Sequence, residues 1–168
     1  MLKPLRLFLL SAVSLVAVQA TAQTTLVRNG KPTARITLAA ENDINRRAAL
    51  LLQRFVRETS GAQLPIVASA KAGKGVVVIG EPTTEARDDG FLIDSHDGVL
   101  RIKSAGGKGA IYGVCTLLEQ YLGMNYLAAD CYTLTPSANV SIPEVHHAET
   151  PAFRYRQTQS YGCDDPVY

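Results

Sequence analysis

Apolar residues along this chain recur with two periods, and the change from one to the other marks out its elements. Thr24 to Arg28 (TTLVR) and Ala34 to Ala39 (ARITLA) read as short strands, the second with Ile36 and Leu38 on one face. Asn29-Gly30 sits between them and supplies the two positive-φ positions of a tight hairpin turn, so the two strands are expected to open the domain as a pair. The period then lengthens. Ile44, Ala48, Leu51, Leu52, Phe55 and Val56 fall on one face of a helix from Asp43, a candidate N-cap, to about Ser60, where Gly61 stops it. Leu64 to Ala68 reads as a strand whose proline suits an edge or a strand start, and Gly75 to Gly80 (GVVVIG) as one buried on both faces. Gly90 to Asp94 and Val99 to Ser104 alternate around Asp97-Gly98, a second tight turn. A helix follows from about Ala110 to Leu122, with Ile111, Val114, Cys115, Leu118 and Leu122 as its apolar face and Gly123 as its end. Met124 to Ala128 returns as a strand, and Tyr132 to Pro136 is expected to pair with Val140 to Ile142 around Ser137-Ala138-Asn139. Strands interleaved with two amphipathic helices predict an α/β fold, a sheet with helices against it.

The first 22 residues follow a different logic. Lys3 and Arg6 precede an apolar run, Leu7 to Val18, and Ala20-Thr21-Ala22 has the small-x-small form of a cleavage site. The run is short for a membrane span, which needs about 20 residues. A signal peptide over residues 1–22 is expected, with export to the periplasm or beyond and no stable membrane span after cleavage.

Charge changes the picture mainly by exclusion. Without Lys3 and Arg6 the basic and acidic residues balance at fifteen each, with no basic patch, so a nucleic-acid partner is not expected. No tryptophan is present, which tilts the reading away from a flat aromatic sugar platform. Cys115, Cys131 and Cys163 contain no C-x-x-C spacing that would suggest zinc or redox chemistry. Cys115 reads as a small core residue, while the pairing of Cys131 with Cys163 stays open.

Candidate chemistry is sparse. Gly106-Gly107-Lys108-Gly109 opens a helix and so could present N–H groups to a phosphate, but it matches neither phosphate-loop pattern, and tight packing explains the glycines better. His146-His147, with Glu144 and Glu149 near them, would point to opposite sides of an extended chain and cannot readily share a metal. His96 reads as a turn histidine. Glycoside hydrolysis needs two placed carboxyl groups about 5–10 Å apart, and neither Asp88-Asp89 nor Asp164-Asp165 makes a convincing acid–nucleophile couple. No catalytic residue, cofactor or metal site is expected.

The segments GFLI from Gly90, DGVLRIKS from Asp97, GGKGAIYGVCTLLEQYLG from Gly106, YTLTP from Tyr132, IPEV from Ile142 and PAFRYR from Pro151 stand in a particular order. In that order the chain resembles the hexosaminidase-like second domain that precedes the barrel of glycoside hydrolases, including β-N-acetylhexosaminidases of family 20 and α-glucuronidases of family 67. It is most similar to bacterial proteins that begin with an alpha-glucuronidase-type N-terminal domain. The resemblance covers roughly Thr24 to Arg156. It implies a mixed β-sheet with two main helices packed on one face, without catalytic acids, flanking a catalytic (β/α)8 barrel in cis or in trans. On this reading residues 23–150 are the accessory domain, and residues 151–168 begin a truncated barrel or form a tail. Arg156, at the first barrel strand, is the candidate substrate-binding residue. Two alternatives are a stand-alone carbohydrate-binding module acting through Tyr126, Tyr132 or Tyr155, and a structural partner domain with an exposed apolar patch.

Overall fold

The structure, a computed structural model, describes residues 23–153 apart from 70–72 and 129–130. The strands are β1 Gln23–Arg28, β2 Lys31–Pro32, β3 Arg35–Leu38, β4 Ile66–Val67, β5 Val76–Pro82, β6 Phe91–His96, β7 Val99–Ser104, β8 Asn125–Ala128, β9 Cys131–Thr133, β10 Val140–Pro143 and β11 Val145–Glu149. The helices are α1 Asp43–Ser60 and α2 Gly109–Tyr121. Six strands form the main sheet in the order β11-β6-β7-β5-β3-β4. Its middle is parallel, β4 and β5 flanking β3 and β7 joining β5, and its far side is antiparallel, through β6 to β11. A smaller sheet, β10-β1-β2, and a separate β8–β9 hairpin complete the described fold. This is the mixed α/β architecture with two helices that the sequence implied.

The register decides which side chains enter the core. Ile36 opposes Val77 and Leu38 opposes Ile79; Val77 and Ile79 oppose Leu100 and Ile102, and Ile102 opposes Ile93. With Phe91 and residues of α1 and α2 these form one apolar cluster, so both helices lie on the same side of the sheet. Its other side carries charged groups, among them Arg101 with its Nε 3.7 Å from Glu81.

Several elements depart from expectation. The Asn29-Gly30 turn has the positive φ values expected (51° and 68°), but it pairs β1 only with the two residues of β2. Past Pro32 the hairpin goes on only as far as the Thr33 and Ala34 N–H groups, which donate to the Leu26 carbonyl at 2.9 and 3.2 Å, and the third strand joins β5 in the main sheet. The cap of α1 is Asn42, whose side chain accepts the Asn45 N–H at 2.8 Å; Asp43 is the first helical residue. Gly61 ends the helix in the left-handed region, its N–H donating to the Arg57 carbonyl. The segments 132–136 and 140–142 do not pair with each other. The first supplies β9, which pairs with β8, and the second supplies β10, which pairs with β1.

The buried face of α2 is also turned relative to expectation. Gly109, Ala110, Gly113, Val114, Leu117 and Leu118 are buried, whereas Ile111 and Cys115 are only half-buried. Small residues, invisible to a pattern of large apolar ones, let the helix approach the sheet. A Cβ on Gly113 would lie 2.7 Å from Cγ2 of Ile102.

Candidate functional site

The glycine turn before α2 is closed by the protein's own anion. Asp89 Oδ1 accepts the Lys108 N–H at 2.9 Å, and a side chain on Gly107 would collide with that carboxylate. The free N–H and partial positive charge of the helix start are thereby taken up internally. Beside it lies a cleft of about 210 Å³, whose walls include Asp89, Tyr112, Cys115, Thr116, Glu149 and Pro151. Of its two carboxylates, Asp89 is engaged at the helix, and Glu149 is exposed beside His147, 3.7 Å from its Nε2. Asp88 is exposed in the adjoining turn, with φ 56°. Burial pushes the Cys115 thiol up from its ordinary value, with the Glu119 charge adding to it, which is opposite to the activation a nucleophilic cysteine needs.

The histidine pair divides as the extended-chain argument requires. Both lie on β11, opposite Asp94 and Ile93 of β6. His147 stacks on Phe91, with ring centroids 6.1 Å apart. His146 is on the other side, its Nε2 2.7 Å from Glu85 Oε2 and its Nδ1 3.5 Å from Asp94 Oδ1. The hydrogen bond to Glu85 comes first among the causes that hold the His146 imidazole above its usual pKa, followed by that to Asp94.

The sign of the linkage follows. A raised pKa in the fold stabilises the protein fully below the ordinary imidazole value of about 6.5, and this is lost as pH climbs through the raised value. The stabilisation of the wild-type chain over His146→Gln, read as a melting-temperature difference, is therefore expected to be larger at about pH 5.5 than at about pH 9. An equal difference at both would show that the two carboxylates do not sense the charge of His146.

His96 is the last residue of β6, not a turn residue, and it has neighbours the sequence did not reveal. Its Nε2 is 3.2 Å from Asp97 Oδ2 and its Nδ1 3.3 Å from Glu144 Oε1. One donor atom from each of the three lies within 4.8 Å of the others, which is the spacing of a cation site. The orientation does not favour a metal: a metal takes one ring nitrogen, and here the two carboxylates face different nitrogens.

Tyr132 is a structural residue, not an exposed platform. Its ring meets Phe55 edge-on at 5.1 Å, its hydroxyl donates to Glu58 Oε2 at 2.8 Å, and it accepts from Arg54 Nη2 at 2.9 Å. The Arg54 hydrogen bond, then the Tyr132 one, holds the Glu58 carboxyl below its usual range. Tyr126 stays open at 57% exposure, next to the still more open Leu127. Cys131 is exposed. Tyr155, Arg156, Cys163, Asp164 and Asp165 lie outside the described residues, as do residues 1–22. No described helix is long and apolar enough to cross a membrane.

No protein-family model matches the chain, and no curated protein does. Solved structures match its fold. The GH20 β-N-acetylhexosaminidase of Streptomyces coelicolor A3(2) aligns with a TM-score of 0.58 and 20% identity over 81% of this chain and 25% of that enzyme. The GH20 exo-β-N-acetylglucosaminidase of Vibrio harveyi gives 0.54 and 15% over 80% and 18%. A family GH115 4-O-methyl-α-glucuronidase with specificity for decorated arabinogalactans gives 0.53 and 16% over 78% and 19%. The glucuronidase likeness thus includes family 115, where the sequence resemblance named family 67. The chain shares its fold with these enzymes over 18–25% of their own length.

Proposed function

We propose that residues 23–150 form a non-catalytic accessory domain of an exported glycoside hydrolase, acting beside a catalytic (β/α)8 barrel in cis or in trans during breakdown of a polysaccharide or glycan. The observation that carries this reading is the asymmetry of the fold match. About four-fifths of this chain aligns with a fifth to a quarter of each enzyme, leaving most of each enzyme outside the match. The apolar run Leu7 to Val18 and the Ala20-Thr21-Ala22 site support export. Arg156 would then contact sugar from the first barrel strand, where barrel enzymes place working groups.

The test is an assay of the purified chain against aryl N-acetylhexosaminides and aryl glucuronides. No turnover is expected from the folded protein. Turnover that survives purification and is lost in Asp164→Asn or Asp165→Asn would make the chain an enzyme in its own right and end this reading.

A further inference from the structure

A second cleft, of about 360 Å³, opens where the last turns of α1 and α2 meet the segment 135–141. Thr59 contributes from α1, Tyr121 from the end of α2, and Thr135, Ser137, Asn139 and Ser141 from the segment. None of the residues lining it is charged. The Ser137 N–H donates to the Thr59 carbonyl at 2.9 Å, Ser137 Oγ donates to the Asn139 carbonyl at 2.6 Å, and Asn139 Oδ1 accepts the Asn29 N–H at 2.9 Å. These bonds fix the wall of the cleft before anything enters it, which lowers the ordering cost of binding.

Other polar groups line the same cleft. The hydroxyl of Thr59, a residue only 5% exposed, has no hydrogen-bond partner, and it is the one buried side-chain polar atom among the described residues of which this is true. Tyr121, Thr135 and Ser141 bring further hydroxyls to the same cleft. The Thr59 hydroxyl is closed off from solvent and stays a cost within the wall, so the hydroxyls a ligand can reach are those of Tyr121, Thr135 and Ser141.

We propose that this cleft binds a neutral saccharide. Hydroxyls that both donate and accept, set beside the Tyr121 ring, match a ligand with many hydroxyls and apolar C–H faces. The absence of any charged wall disfavours a uronate or a phosphate, whose charge would be desolvated without a counter-ion. The proposal stands apart from the accessory-domain reading, because turnover and affinity at this cleft are separate measurements.

The experiment is a titration of the full-length chain, followed by amide NMR shifts, with N-acetylglucosamine, galactose and arabinose as neutral probes and glucuronate as the charged one. Saturable shifts confined to residues around Thr59, Tyr121 and Ser141 are expected with at least one neutral sugar. Tyr121→Phe and Ser141→Ala, which leave the packing in place, should each weaken that binding by up to about tenfold, the range of one lost hydrogen bond. Tyr126→Ala, at the exposed hairpin, should leave it unchanged. No saturable shift with any neutral sugar, binding unaffected by both cleft variants, binding lost in Tyr126→Ala, or equal binding of glucuronate would each overturn the proposal.

Discussion

Gly109→Ala is expected to lower the stability of the chain by about 3 kcal/mol, the upper end for one methyl forced into a packed site. By propensity alone the change should help, since alanine is favoured over glycine in a helix by about 1 kcal/mol. Packing reverses the sign. The new Cβ would fall on the Gly90 carbonyl oxygen and lie 2.7 Å from the Ser104 hydroxyl. That carbonyl cannot easily withdraw, because it accepts the Ala105 N–H at 3.0 Å. Gly90 is itself hemmed in, a Cβ there lying 2.6 Å from the Glu149 carbonyl. The start of α2, the start of β6 and the end of β11 therefore meet through glycine backbone. Urea unfolding of Gly109→Ala should show a lower midpoint at unchanged slope. A midpoint equal to or above wild type would mean that α2 does not seat so closely on the sheet.

Leu117→Ala should cost about 3 kcal/mol, within the range for a fully buried leucine. Leu117 is absent from the apolar face that the pattern of large side chains suggests, yet its exposure is 0%. Cys115, which the pattern includes, is half-buried, and Cys115→Ala should cost less than about 1 kcal/mol. The pair of variants measures the rotation of α2 about its axis. Equal losses, or a larger loss at Cys115, would restore the face read from the sequence.

This rotation shows where the sequence was legible and where it was not. A periodic run of large apolar residues marks a helix such as α1, and Asp97-Gly98 marks the β6–β7 turn, because both signals are local; the turn residues have the positive φ values the motif demands (52° and 76°). Gly109, Ala110 and Gly113 pack as tightly as leucines but carry no hydrophobic signal, so the face of α2 was misread. Partner choice was hidden too. Strands of two to five residues such as β4, β9, β10 and β11 hold too few side chains to say which edge they join, and the long-range pairing decides. The candidate site suffered from the same blindness. Asp89 and Lys108 are nineteen positions apart, and His96 meets Glu144 only because β10 and β11 bring it there. Cues for the hydroxyl cleft were weaker still, since serine and threonine in a loop look the same whether they face solvent or a cavity.

The pairing of β1 with β10 has a consequence for how the chain can be made. Thr24 lies opposite Ile142, and Val27 opposite Val140, so the earliest strand is completed by one of the last. Leu26 and Val27 are fully buried in the finished core together with Ile142. During synthesis from the N-terminus these apolar residues emerge early and have no strand to pair with, apart from the two residues of β2, until nearly the whole sheet has been translated. Vectorial folding of this domain is thus held back at its first element, and a ribosome-arrested chain ending before Val140 should be open to protease at β1, whereas one carried past Glu149 with its linker should resist.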